Sequence, residues 1–303
     1  MGLRLRIIIN PSSGRETSVK DLDNILLYLS ETGNLTRSDI CYTAGKNDAM
    51  NFACETKSDE YDAIVALGGD GTVNEVVTGM MRGGVDLPLA IYTAGTVNDF
   101  ATINNLPQAP SDFARMLAKP SYINVDCGKA NDDYFLNVVA GGLMTDVAYT
   151  TRSDIKTAIG PAAYWLSAMK DLPDINRSIP VKITANGKTY EEDIIMFLIS
   201  NTRSVGGFRS LMTKADLTDG VLDMLAVKKM DPLDIVPLLG SLVIGDHINN
   251  DNVIYIQSDD ITIESEEELV LDIDGEKGSS LPARISCIKN AIKLIVPGKE
   301  EPL

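Results

Sequence analysis

A glycine-rich loop at residues 68–72 is the segment whose residue types point most directly to chemistry. It reads Gly68-Gly69-Asp70-Gly71-Thr72. Glycine allows positive φ angles and a close approach of the backbone to an anion, and the N–H groups of a following helix add donors. A helix predicted to begin near Val73 would be N-capped by Thr72, with Glu75 completing a capping box. The loop therefore predicts a phosphate cradle, and the alternative is a tight turn without a ligand.

Two further polar loops follow apolar segments of the chain. One is Asn10–Gly14, and the other contains Gly95, Thr96 and Asp99. Thr96 could donate a hydrogen bond to a phosphate, and Asp99 could orient an acceptor hydroxyl or join a metal–water network. The alternatives are a simple polar turn at residues 10–14 and an Asn-Asp helix cap at residues 98–99.

Acid–base chemistry in this chain is expected to come from carboxylates, because His247 is its single histidine. That count argues against histidine-based metal sites and Ser-His-Asp triads. Asp274 and Glu276 follow an apolar run, and either could accept a proton from a hydroxyl. In a strand their side chains would point to the same side, since the direction alternates with period two. The alternative is a hairpin turn, for which Asp-Gly is a common dipeptide.

The elements that must position these loops differ between the two parts of the chain. In the first part, strand candidates alternate with helix candidates, which indicates a parallel sheet with helices on both faces. The predicted strands are Leu3–Ile9, Ile40–Thr43, Ala63–Leu67 and Leu87–Tyr92, and the predicted helices are Val19–Leu29, Asp48–Thr56 and Val73–Met81.

From Val181 onward short strands dominate, which favours an antiparallel sandwich or barrel-like domain. The dipeptide Asn186-Gly187 predicts a tight hairpin turn. The predicted strands are Val181–Ala185, Ile194–Ile199, Val221–Val227, Val253–Ile256, Ile261–Ile263 and Leu269–Ile273. The fold class is therefore α/β plus β, with domains at residues 1–128 and 129–289 and a return of residues 290–300 to the first domain.

Composition narrows the classes of function. The 303 residues carry a formal net charge of -16, so the chain is a poor candidate for binding nucleic acid, which requires concentrated Lys and Arg. The four cysteines form no CxxC pair and suggest free thiols in a reducing cytoplasm. The N-terminal apolar run is too short for a signal peptide, and the apolar segment Ile235–Gly245 is too short to span a bilayer. We expect a cytoplasmic protein that is at most peripheral to a membrane.

The string GGDGTVNE at residues 68–75 resembles the diacylglycerol kinase catalytic-domain family, which also holds sphingosine and ceramide kinases. Further matches in the family's order are residues 10–14, 95–101, 219–220 and 274–276. The runs at residues 141–147 and 156–160 look closest to the soluble diacylglycerol kinases of Gram-positive bacteria. The resemblance implies an α/β nucleotide-binding domain like those of NAD kinases and phosphofructokinases, then a β-sandwich that binds lipid and metal, with the active site in the cleft between them.

The resemblance also implies the residues that bind ATP. They are Asn10, Pro11, Ser12, Ser13, Gly14, Thr43, Gly68, Gly69, Asp70, Gly71, Thr72, Asn74, Glu75 and Thr96.

A magnesium site is implied in the same way. Asp219 would bind Mg²⁺ together with the backbone carbonyls of Asp216 and Val221, and Asp126 would reach the ion through water. A second Mg²⁺ would travel with ATP. The residues proposed to act in catalysis are Asp99, Asp274 and Glu276. Glu276 is favoured slightly over Asp274 as the base.

The implied reaction is transfer of the ATP γ-phosphate to diacylglycerol, which gives phosphatidic acid. The alternatives are a kinase for sphingosine, ceramide or phosphatidylglycerol, an NAD kinase, and a non-catalytic nucleotide-binding regulator. Contact with the inner membrane face is expected through Trp165 and the nearby Arg152, Lys156 and Lys170, although core packing of the tryptophan is the alternative. The resemblance also makes a homodimer plausible.

Overall fold

The computed structural model of the chain describes most of its residues. The described residues are 2–13, 18–93, 99–142, 178–205, 211–231, 234, 237–238, 240–241 and 245–298. The chain divides into two compact units, the first comprising Met1–Val125 and Asn290–Leu303 and the second Asp126–Lys289.

Unit 1 is an alternation of strands and helices, as the sequence predicts. Its elements are β1 Leu3–Ile9, α1 Ser18–Glu31, β2 Leu35–Tyr42, α2 Asp48–Cys54, β3 Ala63–Gly68, α3 Asp70–Gly83, β4 Leu89–Thr93, α4 Asp99–Ile103 and α5 Pro110–Ala118. The strands pair in parallel in the order β2-β1-β3-β4. The loops that follow β1, β2 and β3 therefore leave the same edge of the sheet.

Helix α1 shows why this layer forms. Its buried side chains Leu22, Ile25 and Leu29 recur at helical spacing and make one apolar stripe. The stripe packs with α5 against the side chains of β1 and β3 that point to that face. In α3, the glycine at position 79 allows close packing on α2, since an added Cβ would lie 2.2 Å from the carbonyl oxygen of Met50.

Unit 2 is an antiparallel β-structure. Its first strands are the second half of β5 Ser121–Ala130, β6 Asp133–Phe135, β7 Val138–Gly142, β8 Ile179–Ala185, β9 Lys188–Ser200 and β10 Leu222–Lys228. The remaining strands are β11 Val253–Ser258, β12 Asp260–Glu264, β13 Val270–Ile273, β14 Glu276–Ser280 and β15 Ala283–Val296. The hairpin predicted at Asn186-Gly187 joins β8 to β9, and both turn residues have positive φ angles of 52° and 71°.

Strand β15 belongs to both units. Its first residues pair with β12 in unit 2, where Ala283 lies opposite Ile263. Near its end, Leu294 lies beside Leu89 of β4 and continues the parallel sheet of unit 1.

Candidate active site

The glycine-rich loop forms the start of α3. Gly69 is the N-cap residue, with an extended backbone, and the helix begins at Asp70. Thr72 therefore lies inside the first turn, so the prediction that it caps the helix near Val73 is wrong. Its side chain folds back onto the end of β3, where a Cβ on Gly68 would lie 2.5 Å from the Thr72 Oγ1. Only glycine fits this close approach.

The capping box predicted for Glu75 is also wrong, because its carboxylate holds a different helix. Its two oxygens accept the backbone N–H groups of Asn47 at 2.9 Å and Ala49 at 3.1 Å. These residues are the N-cap and an early residue of α2, where free N–H groups and the helix dipole favour a negative charge. Glu75 therefore fixes α2 relative to α3.

The loop between β2 and α2 carries Thr43 and is ordered by hydrogen bonds at both ends. The N–H of Thr43 donates to the carbonyl oxygen of Ile9 at 2.9 Å. The Asp48 carboxylate accepts the N–H groups of Ala44 and Gly45 at 2.7 and 2.8 Å. Thr43 is thereby held beside the end of β1, from which the first polar loop leaves.

Asn10 joins the first polar loop to the glycine-rich loop. Its Oδ1 accepts the N–H and the hydroxyl of Ser12 at 3.0 and 2.7 Å, while its Nδ2 donates to the Thr72 Oγ1 at 3.3 Å. The hydroxyl of Ser13 donates to the Asn10 carbonyl at 2.8 Å. Two of the three loops predicted to bind phosphate are therefore neighbours in unit 1. Gly14, Gly95, Thr96 and the side chain of Asp99 lie outside the described residues, as do Arg152, Lys156, Trp165 and Lys170.

In unit 2, Asp126 is tied directly to the loop at residues 216–221. It is fully buried, and its Oδ2 accepts the N–H of Gly220 at 2.7 Å. Its own N–H donates to the Leu217 carbonyl at 2.7 Å. The structure therefore places Asp126 beside the predicted metal loop through two backbone contacts.

The loop itself is folded by its own aspartates. The Oδ1 of Asp216 accepts the N–H and hydroxyl of Thr218 at 2.9 and 2.7 Å, and the Oδ1 of Asp219 accepts the N–H of Val221 at 3.0 Å. Burial raises the pKa of Asp219, and the nearby carboxylates of Asp216 and Asp126 raise it further. A cation near Asp219 would relieve this accumulation of like charge.

The residues present fit Mg²⁺ rather than a metal that requires several side-chain ligands. Within the described ranges, no group of three or more His, Cys, Asp or Glu side chains is arranged to hold a metal ion. Mg²⁺ in proteins commonly keeps several waters and takes one or two carboxylates. The Asp219 carboxylate, crowded by Asp216 and Asp126, suits that chemistry.

The carboxylate of Asp274 is held by several backbone N–H groups of unit 2. Its oxygens accept three backbone N–H groups, those of Leu136 at 2.8 Å, Asn137 at 3.0 Å and Val138 at 2.7 Å. In return, the Asp274 N–H donates to the Val138 carbonyl at 2.9 Å. Bonds from several N–H groups to an ionised carboxylate are strong, so this side chain is fixed in place.

Asp274 and Gly275 form a tight turn between β13 and β14. Their φ angles are 49° and 87°, and Ile273 pairs with Glu276 across the turn. The turn suggested by the Asp-Gly dipeptide is therefore present. The prediction that Asp274 and Glu276 share one side of a strand is wrong, because Asp274 is not in a strand. Glu276 begins β14 and is exposed.

Asn201 is a residue of this region that the sequence did not single out. It is 1 % exposed, and its Nδ2 donates to the carbonyl oxygens of Asp126 at 2.8 Å and Leu136 at 3.3 Å. The available signal was the polar triplet at residues 200–202, directly after an apolar strand. A buried amide in such a place usually serves to satisfy several backbone groups.

Comparison with protein families agrees with this two-unit organisation. Residues 4–130 match the diacylglycerol kinase catalytic domain, and residues 137–296 match the YegS C-terminal NAD kinase beta sandwich-like domain. The diacylglycerol kinase of Bacillus subtilis is 34% identical over 299 residues, which cover 97% of this chain and 96% of that protein. The chain belongs to the diacylglycerol kinase family. It is therefore a kinase that acts on lipid, with ATP as the phosphoryl donor, which confirms the predicted family, fold class and enzyme type.

Other relatives of this kinase cover it equally well. The diacylglycerol kinase of Staphylococcus carnosus is 33% identical over 297 residues, covering 98% of this chain and 96% of that protein. The crystal structure of a diacylglycerol kinase from Bacillus anthracis has a TM-score of 0.80 and 28% identity, covering 97% of this chain and 96% of that one. Yeast NADH kinase complexed with NADH has a TM-score of 0.56 at 11% identity, covering 99% and 85% of the two chains, which shows a shared fold. In the part of the kinase that the structure describes, no helix is long and apolar enough to cross a membrane.

Proposed function

We propose that this kinase phosphorylates diacylglycerol to phosphatidic acid. The observation that carries the proposal is the Asp274-Gly275 turn, whose anchored carboxylate presents the exposed Glu276 at the start of β14. An exposed carboxylate that a hydroxyl can reach is a group that a kinase can use as a base. The named activity of the relatives in Bacillus and Staphylococcus supports diacylglycerol as the acceptor.

In the proposed step, Glu276 accepts the proton of the acceptor hydroxyl. The oxygen forms a bond to the γ-phosphorus, the bond from that phosphorus to the bridging β–γ oxygen breaks, and ADP leaves with the electron pair. Asp274 is assigned a positioning role, because its oxygens are committed to three backbone N–H groups. Asp99 remains proposed as a residue that orients the acceptor.

The nucleotide is proposed to bind at the loops that leave the carboxyl edge of the unit 1 sheet. The loop after Gly68 and the turn after Asn10 would contribute backbone N–H groups and hydroxyls to the phosphates. Their mutual contact through Thr72 supports a shared ligand. Glu75 would act at a distance, by holding the α2 loop that carries Thr43.

Mg²⁺ is proposed to bind at the loop of residues 216–221, held by the Asp219 carboxylate and the carbonyl oxygens of Asp216 and Val221, with Asp126 acting through water. When bound, the ion would neutralise the accumulated negative charge and fix the loop. The charge crowding at Asp219 supports this assignment.

We also propose that the kinase contacts the membrane peripherally and forms a homodimer. A lipid acceptor requires the kinase to approach a bilayer, which favours a peripheral position at the inner face of the membrane. Strand β2 lies at the end of the strand order in unit 1 and exposes Ile40 and Tyr42, so it is a candidate edge for a homodimer. Analytical ultracentrifugation of the purified kinase and of a variant with both side chains replaced by Lys would test the dimer.

The test of the proposed function is phosphoryl transfer from labelled ATP, with Mg²⁺, to mixed micelles that contain one acceptor at a time. We expect labelled phosphatidic acid from diacylglycerol and much slower labelling of sphingosine, ceramide and phosphatidylglycerol. Glu276→Gln should lower the rate by about 10²–10⁴-fold. Faster labelling of another lipid would contradict the assignment of diacylglycerol as the acceptor. A Glu276→Gln variant with wild-type activity would contradict the assignment of Glu276 as the base.

A further inference from the structure

Asn201 lies directly after the end of β9, where it is buried among backbone groups. The two hydrogens of its side-chain amide satisfy the carbonyl oxygens of Asp126 at 2.8 Å and Leu136 at 3.3 Å. Its backbone N–H donates to the carbonyl of Asn137 at 2.9 Å. One residue therefore makes three hydrogen bonds, one to β5 at Asp126 and two to residues 136–137, which directly follow its partner strand β6.

One of these segments contacts the proposed metal loop, and the other holds the turn that carries the proposed base. Asp126 is bonded to the N–H of Gly220 within the metal loop. Leu136 and Asn137 supply two of the N–H groups that hold the Asp274 carboxylate. The side chain and backbone N–H of Asn201 therefore bridge the segment bonded to the metal loop and the segment that holds Asp274, in addition to the pairing of β5 with β6.

The orientation of the Asn201 amide is settled by its neighbours. If it were flipped, its oxygen would face two carbonyl oxygens, which would repel it and leave both without a donor. In the observed orientation, the buried Oδ1 has no hydrogen-bond partner among the described residues. A buried polar atom without a partner costs free energy, and the two contacts of the Nδ2 offset that cost by satisfying two carbonyl oxygens.

We infer that Asn201 is a positioning residue that couples the magnesium loop to the anchor of the acceptor base. It holds Asp126, within β5, and the 136–138 segment at a fixed separation, so that order imposed on the loop by Mg²⁺ reaches the Asp274 turn. The inference rests on the proposed function for the roles of those two sites.

The test compares Asn201→Asp with Asn186→Asp. The first change keeps the shape and removes the donor to both carbonyls. The second removes one exposed bond of the same type, from the Asn186 Nδ2 to the Gln257 carbonyl at 2.8 Å, on the β8–β9 hairpin of the same unit. Two measurements are made on the full chain: phosphoryl transfer as free Mg²⁺ is raised above saturating MgATP, and the shift in Tm that Mg²⁺ causes without nucleotide.

For Asn201→Asp we expect the half-saturating Mg²⁺ concentration to rise by about 10–100-fold and kcat to fall by a similar factor, which is the usual cost of losing an outer-shell contact. The KM for ATP should stay within about twofold, because the lost contacts are not made to the nucleotide loops. The Tm shift caused by Mg²⁺ should shrink. Asn186→Asp should behave as wild type in all three respects.

Unchanged Mg²⁺ dependence in a folded Asn201→Asp variant would overturn the inference, even if its Tm fell. So would a wild-type kinase whose Tm does not respond to Mg²⁺. If circular dichroism showed that both Asn201→Asp and Asn201→Ser fail to fold, Asn201 would be a structural residue and the inference would also fall. Absence of lipid phosphorylation by the wild type would instead contradict the proposed function, while the Tm measurement would still decide the role of Asn201.

Discussion

The carboxylate of Asp274 accepts the backbone N–H of Val138 at 2.7 Å, across 136 residues of sequence. With the N–H groups of Leu136 and Asn137, this bond makes the Asp-Gly turn part of the framework of unit 2. The turn then places Glu276 at a defined point of β14. Two acidic residues that look equivalent in the sequence therefore have different surroundings and different expected roles.

That difference predicts unequal losses of stability for two conservative changes. Asp274→Asn removes the negative charge and turns an NH₂ group toward backbone N–H donors, so we expect the free energy of unfolding to fall by about 1–3 kcal/mol. Glu276→Gln alters an exposed side chain and should change it by no more than about 0.5 kcal/mol. Urea denaturation of both variants measures the difference. Equal stability losses would contradict the separate roles.

The carboxylate of Glu75 predicts a coupling between α3 and the Thr43 loop. Glu75→Gln replaces an oxygen that accepts an N–H at the start of α2, so we expect a loss of about 0.5–2 kcal/mol in the free energy of unfolding. The KM for ATP should rise as well, because the loop that carries Thr43 loosens. Glu55→Gln, an exposed change at the other end of α2, is the matched control for both measurements. If Glu75→Gln changed the free energy of unfolding and the KM for ATP no more than Glu55→Gln does, the contact would have little effect.

The close contact between Gly68 and Thr72 predicts the effect of one added methyl group. Gly68→Ala places a Cβ 2.6 Å from the Thr72 Cβ, and the crowding should cost about 1–3 kcal/mol in stability. Gly45→Ala is the control, since its added Cβ meets nothing within 4 Å. Thermal unfolding of both variants tests the prediction, which fails if Gly68→Ala unfolds at the wild-type temperature.

His247 predicts a loss of stability at mildly acidic pH. Burial lowers the pKa of His247, although the hydrogen bond to the Leu211 carbonyl at 2.8 Å opposes the shift. The unfolded chain therefore binds the proton more readily. The stability contribution is intact above the ordinary pKa of 6.5 and declines as pH falls below it, with a slope of at most about 1.4 kcal/mol per pH unit.

Unfolding free energies measured at several pH values between 5 and 8 (a range set by the ordinary histidine pKa of about 6.5) would test this effect. In His247→Gln the side chain cannot titrate but can still donate to Leu211. As pH falls, the free energy of unfolding of the wild type should decrease relative to that of His247→Gln. A difference that is constant across this range would contradict the prediction.

The sequence predicted those features that depend on local patterns. Apolar periodicity gave β1, α1 and β3 nearly at their observed bounds, and Asn186-Gly187 gave a hairpin with the required positive φ angles. Paired polar motifs also identified the loops at Asn10 and Gly68, which are in contact. In each case the residues that determine the structure are close together in the chain.

The wrong predictions concern groups whose partners are distant in sequence. Glu75 was expected to bond within its own helix, but it bonds 28 residues away to the start of α2. The sequence predicts Thr72 as the cap, but the helix begins three residues earlier than predicted because Gly69 already supplies the N-cap. Asn201 has partners that only the pairing of strands brings near. Such contacts follow from the packed fold and have no signal in local residue patterns.

Because β15 supplies both the partner of β12 and the strand beside β4, the parallel sheet of unit 1 needs residues from both ends of the polypeptide. During synthesis, the first 125 residues leave the ribosome long before Leu294 is made. Unit 1 can reach its complete sheet only after the whole of unit 2 has been translated. A protein that ends at residue 289 would lack the last strand of the unit 1 sheet. A protein in which residues 290–303 are joined by a linker directly to residue 125 would contain both segments of unit 1.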